Sequence, residues 1–357
     1  MATTGFEGGA EKYIAVLAEK MNESGRDVEL LGDLPTWPQF LPRTSLHAGA
    51  KWNLRTLPIG FLRAFAERAK LRRHLLKSQE VVFNSHFKRE QIAYSKLLSK
   101  RGRVVWTEHG RFPSGMFGRV IRPFYRHASK HASAIVCVSD LVARDIARFV
   151  SDPRRVVVID TAIDLTRYRV PTEEYRKKIH AALGLDDRPV VVYVGRLEPS
   201  KRPELAILGG LAAGLQVLVA GTGSQDAYLR GAYAKNKDVH FLGHTDNVAE
   251  VFAAGNVHVF ASTGAGEGFP TVILEASAMG LPTVAAEESG FGYAVEAAGG
   301  RTFSATVESL HAALDEILAS QDGTAAHARA WAETRDHAAW TDRYLDVLFA
   351  ESDVPQG

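Results

Sequence analysis

Ten short apolar runs, rich in β-branched residues and separated by longer amphipathic stretches, confine this chain to one architectural class. In the first half they occupy residues 28–31, 81–84, 104–107, 134–138 and 156–159. In the second half they occupy 190–194, 215–220, 239–242, 257–261 and 283–285. Runs apolar on both faces are strands covered on both sides, and helix-like stretches between them make the sheet parallel. The reading is α/β, and 357 residues make about two domains of ordinary size. Two doubly wound, Rossmann-like domains facing a central cleft are expected. Residues 165–188, polar and punctuated by Pro171 and Pro189, read as the connection plus a first helix of the second domain.

Residues 265–280, Ala-Gly-Glu-Gly-Phe-Pro-Thr-Val-Ile-Leu-Glu-Ala-Ser-Ala-Met-Gly, carry the chemistry. Glu267 sits in a glycine-rich turn and Glu275 follows eight positions later, with Thr271 as the expected N-cap of a buried helix. A helix start offers backbone N–H groups and a positive dipole end to a phosphate. Carboxylates flanking such a site do not bind the anion; they accept hydrogen bonds from hydroxyls attached to it, as on a ribose or a hexose. A loop carboxylate and a solvated helix position are the plain alternatives. A second segment weighs against them. Val190-Val-Val-Tyr-Val-Gly-Arg-Leu-Glu-Pro-Ser-Lys-Arg-Pro203 is a buried strand, a turn at Gly195, and then Arg196 and Lys201. Cations just past the carboxyl end of a central strand lie where open α/β sheets bind ligands. A guanidinium fork beside a lysine point charge suits a diphosphate.

These pieces resemble the retaining, nucleotide-sugar-dependent glycosyltransferases of family 4, which have the GT-B fold. The resemblance rests on G-R-L-x-x-x-K at 195–201, E-x7-E from Glu267 to Glu275, and G-G-A-E at 8–11. Val239-His-Phe-Leu-Gly243 and Trp340-Thr-Asp-Arg-Tyr344 add to it, so that it spans nearly the whole chain in order. It implies an acceptor-side domain at 1–168, a donor domain at 169–330, and a terminal helix at 331–357 crossing back to the first domain. It implies that Arg196 and Lys201 neutralise the donor diphosphate, with backbone N–H groups of Thr271 and Val272 beside them. Gly268, Phe269 and Pro270 shape that donor turn. Glu275 then holds the ribose hydroxyls and Glu267 those of the donor hexose. Gly8 and Gly9 close over the diphosphate from the first domain, and His109, after the strand at 104–107, faces the donor sugar. Glu108 is a weaker candidate. No metal and no cofactor are implied, the nucleotide sugar being a substrate and the two cations standing where a metal would. The family is thought to retain configuration by front-face attack, and the chain shows no convincing carboxylate nucleophile of the glycosidase kind.

Three departures from the family pattern stand out, the first of them bearing on donor or acceptor preference. Relatives often carry P-N-G-V-D where this chain has Asp160-Thr-Ala-Ile-Asp164, and Pro270-Thr271 replaces a glycine and an aliphatic residue. The opening Met1-Ala-Thr-Thr-Gly5 is short for a first strand, which is therefore either very short or cut away.

Charge is uneven. Residues 1–165 hold 27 Lys/Arg against 16 Asp/Glu, and the remainder holds 16 against 25. The basic clusters, at 63–73 and 111–130, fit peripheral contact with an anionic membrane face or an acidic acceptor. No nucleic-acid module accompanies them. The single Cys137 excludes an internal disulfide and reads as a core residue. With no signal segment and no membrane-length apolar stretch, a cytoplasmic location is expected, with peripheral contact at the inner membrane face. The donor is a UDP-sugar first and a GDP-sugar second, carrying a hexose or N-acetylhexosamine, and the hydroxyl acceptor is a glycan, a lipid-linked saccharide or a small molecule. Other readings are a nucleotide-sugar 2-epimerase of the same fold and a non-catalytic membrane-surface protein. A nicotinamide site at Ala220-Gly-Thr-Gly-Ser-Gln-Asp226 lacks its third glycine.

Overall fold

The computed structural model describes residues 1–4, 8–46, 52–76, 81–264 and 266–350. The chain divides into two compact units, one of residues 1–161 with 337–357 and one of residues 162–336. The first boundary is therefore at 161/162 rather than 168/169, because Ile163 and Tyr168 are buried in the core of the second unit. The second is at 336/337 rather than 330/331, because Trp331 and Ala332 belong to that same core.

The first unit holds a three-stranded parallel sheet, β1 (Ala2–Thr3), β2 (Leu30–Asp33) and β3 (Arg43–Thr44), in that order. Its second sheet, in sequential order, is β4 (Val81–Ser85), β5 (Gly102–Glu108), β6 (Ala134–Cys137) and β7 (Val156–Val158), all parallel. Val104, Val105 and Trp106 on β5 are fully buried, as strands covered on both faces require. Cys137 is buried too, and burial pushes its thiol up. The terminal helix His337–Phe349 packs on β4, β5 and the helix Gly9–Glu23. Tyr344 and Tyr13 share a buried hydroxyl–hydroxyl bond of 2.6 Å, and Arg343 donates to the Val158 carbonyl at 2.6 Å.

In the second unit, β8 (Val190–Val194), β9 (Gln216–Ala220), β10 (Val239–Gly243), β11 (Val257–Phe260), β12 (Thr283–Ala286) and β13 (Arg301–Phe303) form one parallel sheet. Its order is β10-β9-β8-β11-β12-β13. Chain order reverses between β8 and β11, the switch point where such sheets open a crevice beyond their carboxyl ends. All ten apolar runs contain a strand. The first strand is the very short one of the two alternatives, at Ala2–Thr3, and the sequence reading missed β3 and β13, which at two or three residues are too short to show a period.

Candidate functional site

The loops leaving β8 and β11 place their charged residues together at that switch point. Gly195 follows β8, its N–H donating to the Ala220 carbonyl at 3.0 Å. Gly221, at φ 139°, lets the loop after β9 press on it; a β-carbon there would lie 1.9 Å from the Gly195 oxygen. From beneath, the buried Tyr193 hydroxyl donates to the carbonyls of Arg196 at 3.1 Å and Lys201 at 3.4 Å. Lys201 ends the 3-10 turn Pro199–Lys201, and Arg202 follows at φ 48°, the one non-glycine residue with positive φ among those described. Strain of this kind persists where the surroundings over-determine the backbone. The Arg196 side chain is exposed.

Across the switch point, Thr263 after β11 donates to the Ser200 carbonyl at 2.9 Å. Gly264, at φ 72°, brings that turn so near the Ser289 carbonyl that a β-carbon would lie 2.1 Å from its oxygen. Glu267 then meets Lys201 in a direct ion pair, with side chains 17% and 15% exposed, and Ser262 donates to the same carboxylate at 3.4 Å. Burial and the Arg196 guanidinium pull the Lys201 ammonium down to about 8. The Glu267 carboxylate acts in the opposite direction and favours the charged form.

The helix Thr271–Ala278 begins next, with Gly268 and Pro270 buried and Phe269 edge-on to Phe291 at 6.1 Å. The expected cap is corrected. Pro270, in extended conformation at φ −77°, is the N-cap, and Thr271 is the first helical residue. Proline has no N–H to lose there, and its carbonyl accepts from Ile273 at 3.1 Å. The N–H groups of Thr271 and Val272 thus head the helix, where an intrahelical ladder supplies no partner. Glu275 is half-buried one turn further on, and burial, then the Glu275 charge, raises the Tyr168 phenol. Ala265 lies outside the described residues.

In the first unit, His109 follows β5 and His86 follows β4, so both stand at carboxyl ends of adjacent strands. His86 Nδ1 and His109 Nε2 are 3.1 Å apart in a hydrogen bond, with the rings stacked at 5.3 Å. Tyr13 meets His109 edge-on at 4.9 Å. Burial, then the Lys88 charge, pulls His109 down to about 3, and burial with His109 beside it pulls His86 well below its ordinary value. His109 is therefore a neutral hydrogen-bonding group at physiological pH, one ring nitrogen donating and the other accepting. Glu108 is 1% exposed and held by Lys88 at 2.6 Å and Tyr125 at 2.7 Å, a structural ion pair. Gly8 is the N-cap of Gly9–Glu23, and a β-carbon at Gly9 would meet nothing within 4 Å.

Comparison with known proteins decides the family. Residues 7–167 match the Glycosyltransferase Family 4 model and residues 175–335 match that of Glycosyl transferases group 1. The chain belongs to glycosyltransferase family 4. Its structure matches that of HepE from Anabaena, solved in complex with UDP, at TM-score 0.79 and 18% identity over 98% of this chain and 100% of that one. The lipopolysaccharide glycosyltransferase WaaG matches at TM-score 0.67 and 17% identity, over 98% and 99%. These likenesses establish the GT-B fold. A D-inositol 3-phosphate glycosyltransferase of Mycolicibacterium paratuberculosis is 33% identical over 156 residues, 40% of this chain and 34% of that protein. The counterpart from Rhodococcus opacus is 32% identical over 37% and 33%. The matched region spans about a third of the length of these relatives.

In this family 4 chain the second unit brings Lys201 and Glu267 together and sets Thr271 and Val272 at a helix head. Sequence reasoning missed three residues around these sites. Tyr193 and Tyr168 were read as strand and connector. His86 carried the one usable signal, since Asn-Ser-His closing β4 parallels Thr-Glu-His closing β5. Among the described residues no group of three or more His, Cys, Asp or Glu is placed to hold a metal, and no helix is long and apolar enough to cross a membrane.

Proposed function

We propose that this family 4 chain transfers a hexose or N-acetylhexosamine from a nucleoside-diphosphate sugar to a hydroxyl acceptor, with retention and without a metal. UDP is the first choice of carrier and GDP the second. The observation carrying this reading is the Lys201–Glu267 pair at the switch point of the second unit, beside Arg196 and ahead of a helix start. A diphosphate competes with Glu267 for the Lys201 ammonium and frees the carboxylate to accept from sugar hydroxyls. Glu275 receives the ribose, and Arg196 with the Thr271 and Val272 N–H groups receives the phosphates. As the anomeric C–O bond breaks, charge builds on the departing phosphate and the fixed cations stabilise it. The acceptor oxygen attacks the same face, and its proton passes to the leaving phosphate. Gly8, Gly9 and the neutral His109 keep, in this reading, the donor-binding roles that the family resemblance implies for them. The UDP complexes of the HepE structures support the choice of carrier.

The acceptor side carries a second observation. Met116, Val120 and Phe124 are exposed along one face of the helix Gly115–Ser129, 59%, 37% and 46% accessible, with Arg119, Arg122 and Arg126 exposed beside them. An apolar ridge flanked by arginines fits an anionic membrane surface, and peripheral contact there, from the cytoplasmic side, is part of the proposal.

The test is a thermal-shift panel of UDP, GDP, ADP and dTDP, with and without EDTA, on wild type and Lys201→Ala. A nucleotide at 100 times its Kd stabilises by about 2.7 kcal/mol. One nucleotide should shift the wild type equally in EDTA and leave the variant unmoved. A panel without any shift sinks the donor assignment, and a shift abolished by EDTA sinks the metal-free reading.

A further inference from the structure

The strand β4 ends at Ser85 and Phe87 is already the N-cap of the helix Lys88–Leu98, so His86 alone makes the connection. Its backbone is tied on both sides. The His86 N–H donates to the Met1 carbonyl at 3.1 Å, and the Ser85 carbonyl accepts from Gln91 Nε2 at 3.1 Å. From this fixed point the buried His86 ring brings its Nδ1 to within 3.1 Å of His109 Nε2.

Three rings enclose the His109 imidazole: His86, Tyr13 edge-on at 4.9 Å, and Phe87 tilted at 6.3 Å. Tyr13 is itself held by the Tyr344 hydroxyl at 2.6 Å and edge-on by Trp340 at 5.0 Å. Such packing fixes the plane of an imidazole but not which way round it lies. Turning the ring over exchanges nitrogens for carbons at nearly constant shape, and only a hydrogen bond tells the two orientations apart. The contact with His86 is the one hydrogen bond of the His109 ring among the described residues, and it leaves Nδ1 as the nitrogen without a partner among them. It also couples the protons. Both rings are neutral at physiological pH, so a single hydrogen lies between them. Which nitrogen of a histidine carries its proton is set by the bond the other nitrogen makes.

Resting on the donor reading above, we propose that His86 is a positioning residue for His109: its hydrogen bond to Nε2 holds the imidazole in one orientation and one tautomer, with Nδ1 presented to the donor sugar. His86 acts through His109 and not on the ligand. Its effect should therefore follow the sugar and not the nucleotide.

Long-range proton–nitrogen NMR on protein with isotope-labelled histidine, at neutral pH, reads the tautomer with no ligand present. Wild type should show His109 in a single neutral tautomer, and His86→Leu should show a mixture. His86→Asn, whose amide brings either a donor or an acceptor to the place of Nδ1, should restore the single form. Equilibrium binding of UDP and of UDP-glucose or UDP-N-acetylglucosamine, whichever wild type holds tighter, reads the consequence. A neutral hydrogen bond is worth about twofold to tenfold. His86→Leu should weaken the nucleotide sugar by that factor and change UDP by less than about twofold, with His86→Asn close to wild type. Adding His86→Leu to His109→Ala should cost no further affinity for the nucleotide sugar, a non-additivity that separate packing roles would not produce. A tautomer mixture in wild type, a single tautomer kept in His86→Leu, or equal weakening of UDP and nucleotide sugar overturns the proposal while the donor site stands. Wild type binding neither UDP nor GDP overturns the donor reading and this inference with it.

Discussion

Both units end their central strands in charged and polar groups, yet they dispose of them differently. In the first unit the last residue of β5, Glu108, is turned inward, caged by Lys88 and Tyr125, with the next residue, His109, stripped of charge by burial. In the second unit the corresponding loops keep Arg196 exposed and leave Lys201 and Glu267 part-buried together at the switch point. One buried pair completes its own electrostatics inside the protein. The other, on the donor reading proposed above, pairs a cation and an anion that a phosphorylated sugar would separate. On that reading the same architecture yields a structural ion pair and a ligand-binding one, and partner geometry rather than residue type decides which.

Four experiments can break that contrast, in descending order of effect. Glu108→Gln leaves Lys88 without its counter-charge and should destabilise the protein by about 3–5 kcal/mol in denaturant unfolding, with kcat per folded molecule preserved. A large loss of kcat at intact stability would move Glu108 into the chemistry. Lys201→Ala should do the reverse, lowering kcat by about 10²- to 10³-fold with the substrate donor, while thermal unfolding changes far less. Equal damage to fold and rate would erase the distinction between the pairs.

Third, the lowered histidines set an acid limit. His109 binds its proton in the unfolded chain near 6.5 but in the folded protein only near 3. The unfolded state therefore takes up more protons between those values, so stability is full above about 6.5 and is lost as pH falls toward 3. Each such group contributes a slope of about 1.4 kcal/mol per pH unit in that window. His258, buried in the second unit against the Thr283 hydroxyl at 3.1 Å, behaves alike, its value lowered to about 3 by burial. Replacing either by glutamine should flatten stability against pH, and only His109→Gln should also lower activity. If His258→Gln slows turnover equally, His109 has no special role. Smallest is Phe124→Ser, which, losing its ring contact with Phe61 at 5.4 Å, should cost about 1 kcal/mol of stability yet reduce co-sedimentation with anionic vesicles and not with neutral ones. Unchanged co-sedimentation would leave the exposed ridge without the partner proposed for it.

How far the sequence reached depends on the range of the interaction that decides each feature. Long β-branched runs declare themselves locally, so every strand of four or more residues was visible, as was the helix beginning after Pro270. Arg196, Lys201, Glu267 and Glu275 could be singled out as candidates because glycine turns and a helix start surround them. The N-cap was misplaced by one residue because Pro270 and Thr271 both suit a helix start, and only backbone angles separate them. His86 and Tyr168 stayed hidden, since neither lies in a motif and each acquires meaning from a residue far along the chain.

By itself the sequence determined the α/β class, the strands, and the residue types gathered at two strand ends, because hydrophobic period and turn chemistry are written over a few neighbouring positions. Only tertiary structure decided that Lys201 would face Glu267, 66 positions away, since that meeting follows from β8 lying beside β11 in the sheet. It alone decided that His109 would stand neutral. Burial and long-range pairing are properties of the packed chain, and no local pattern of residues contains them.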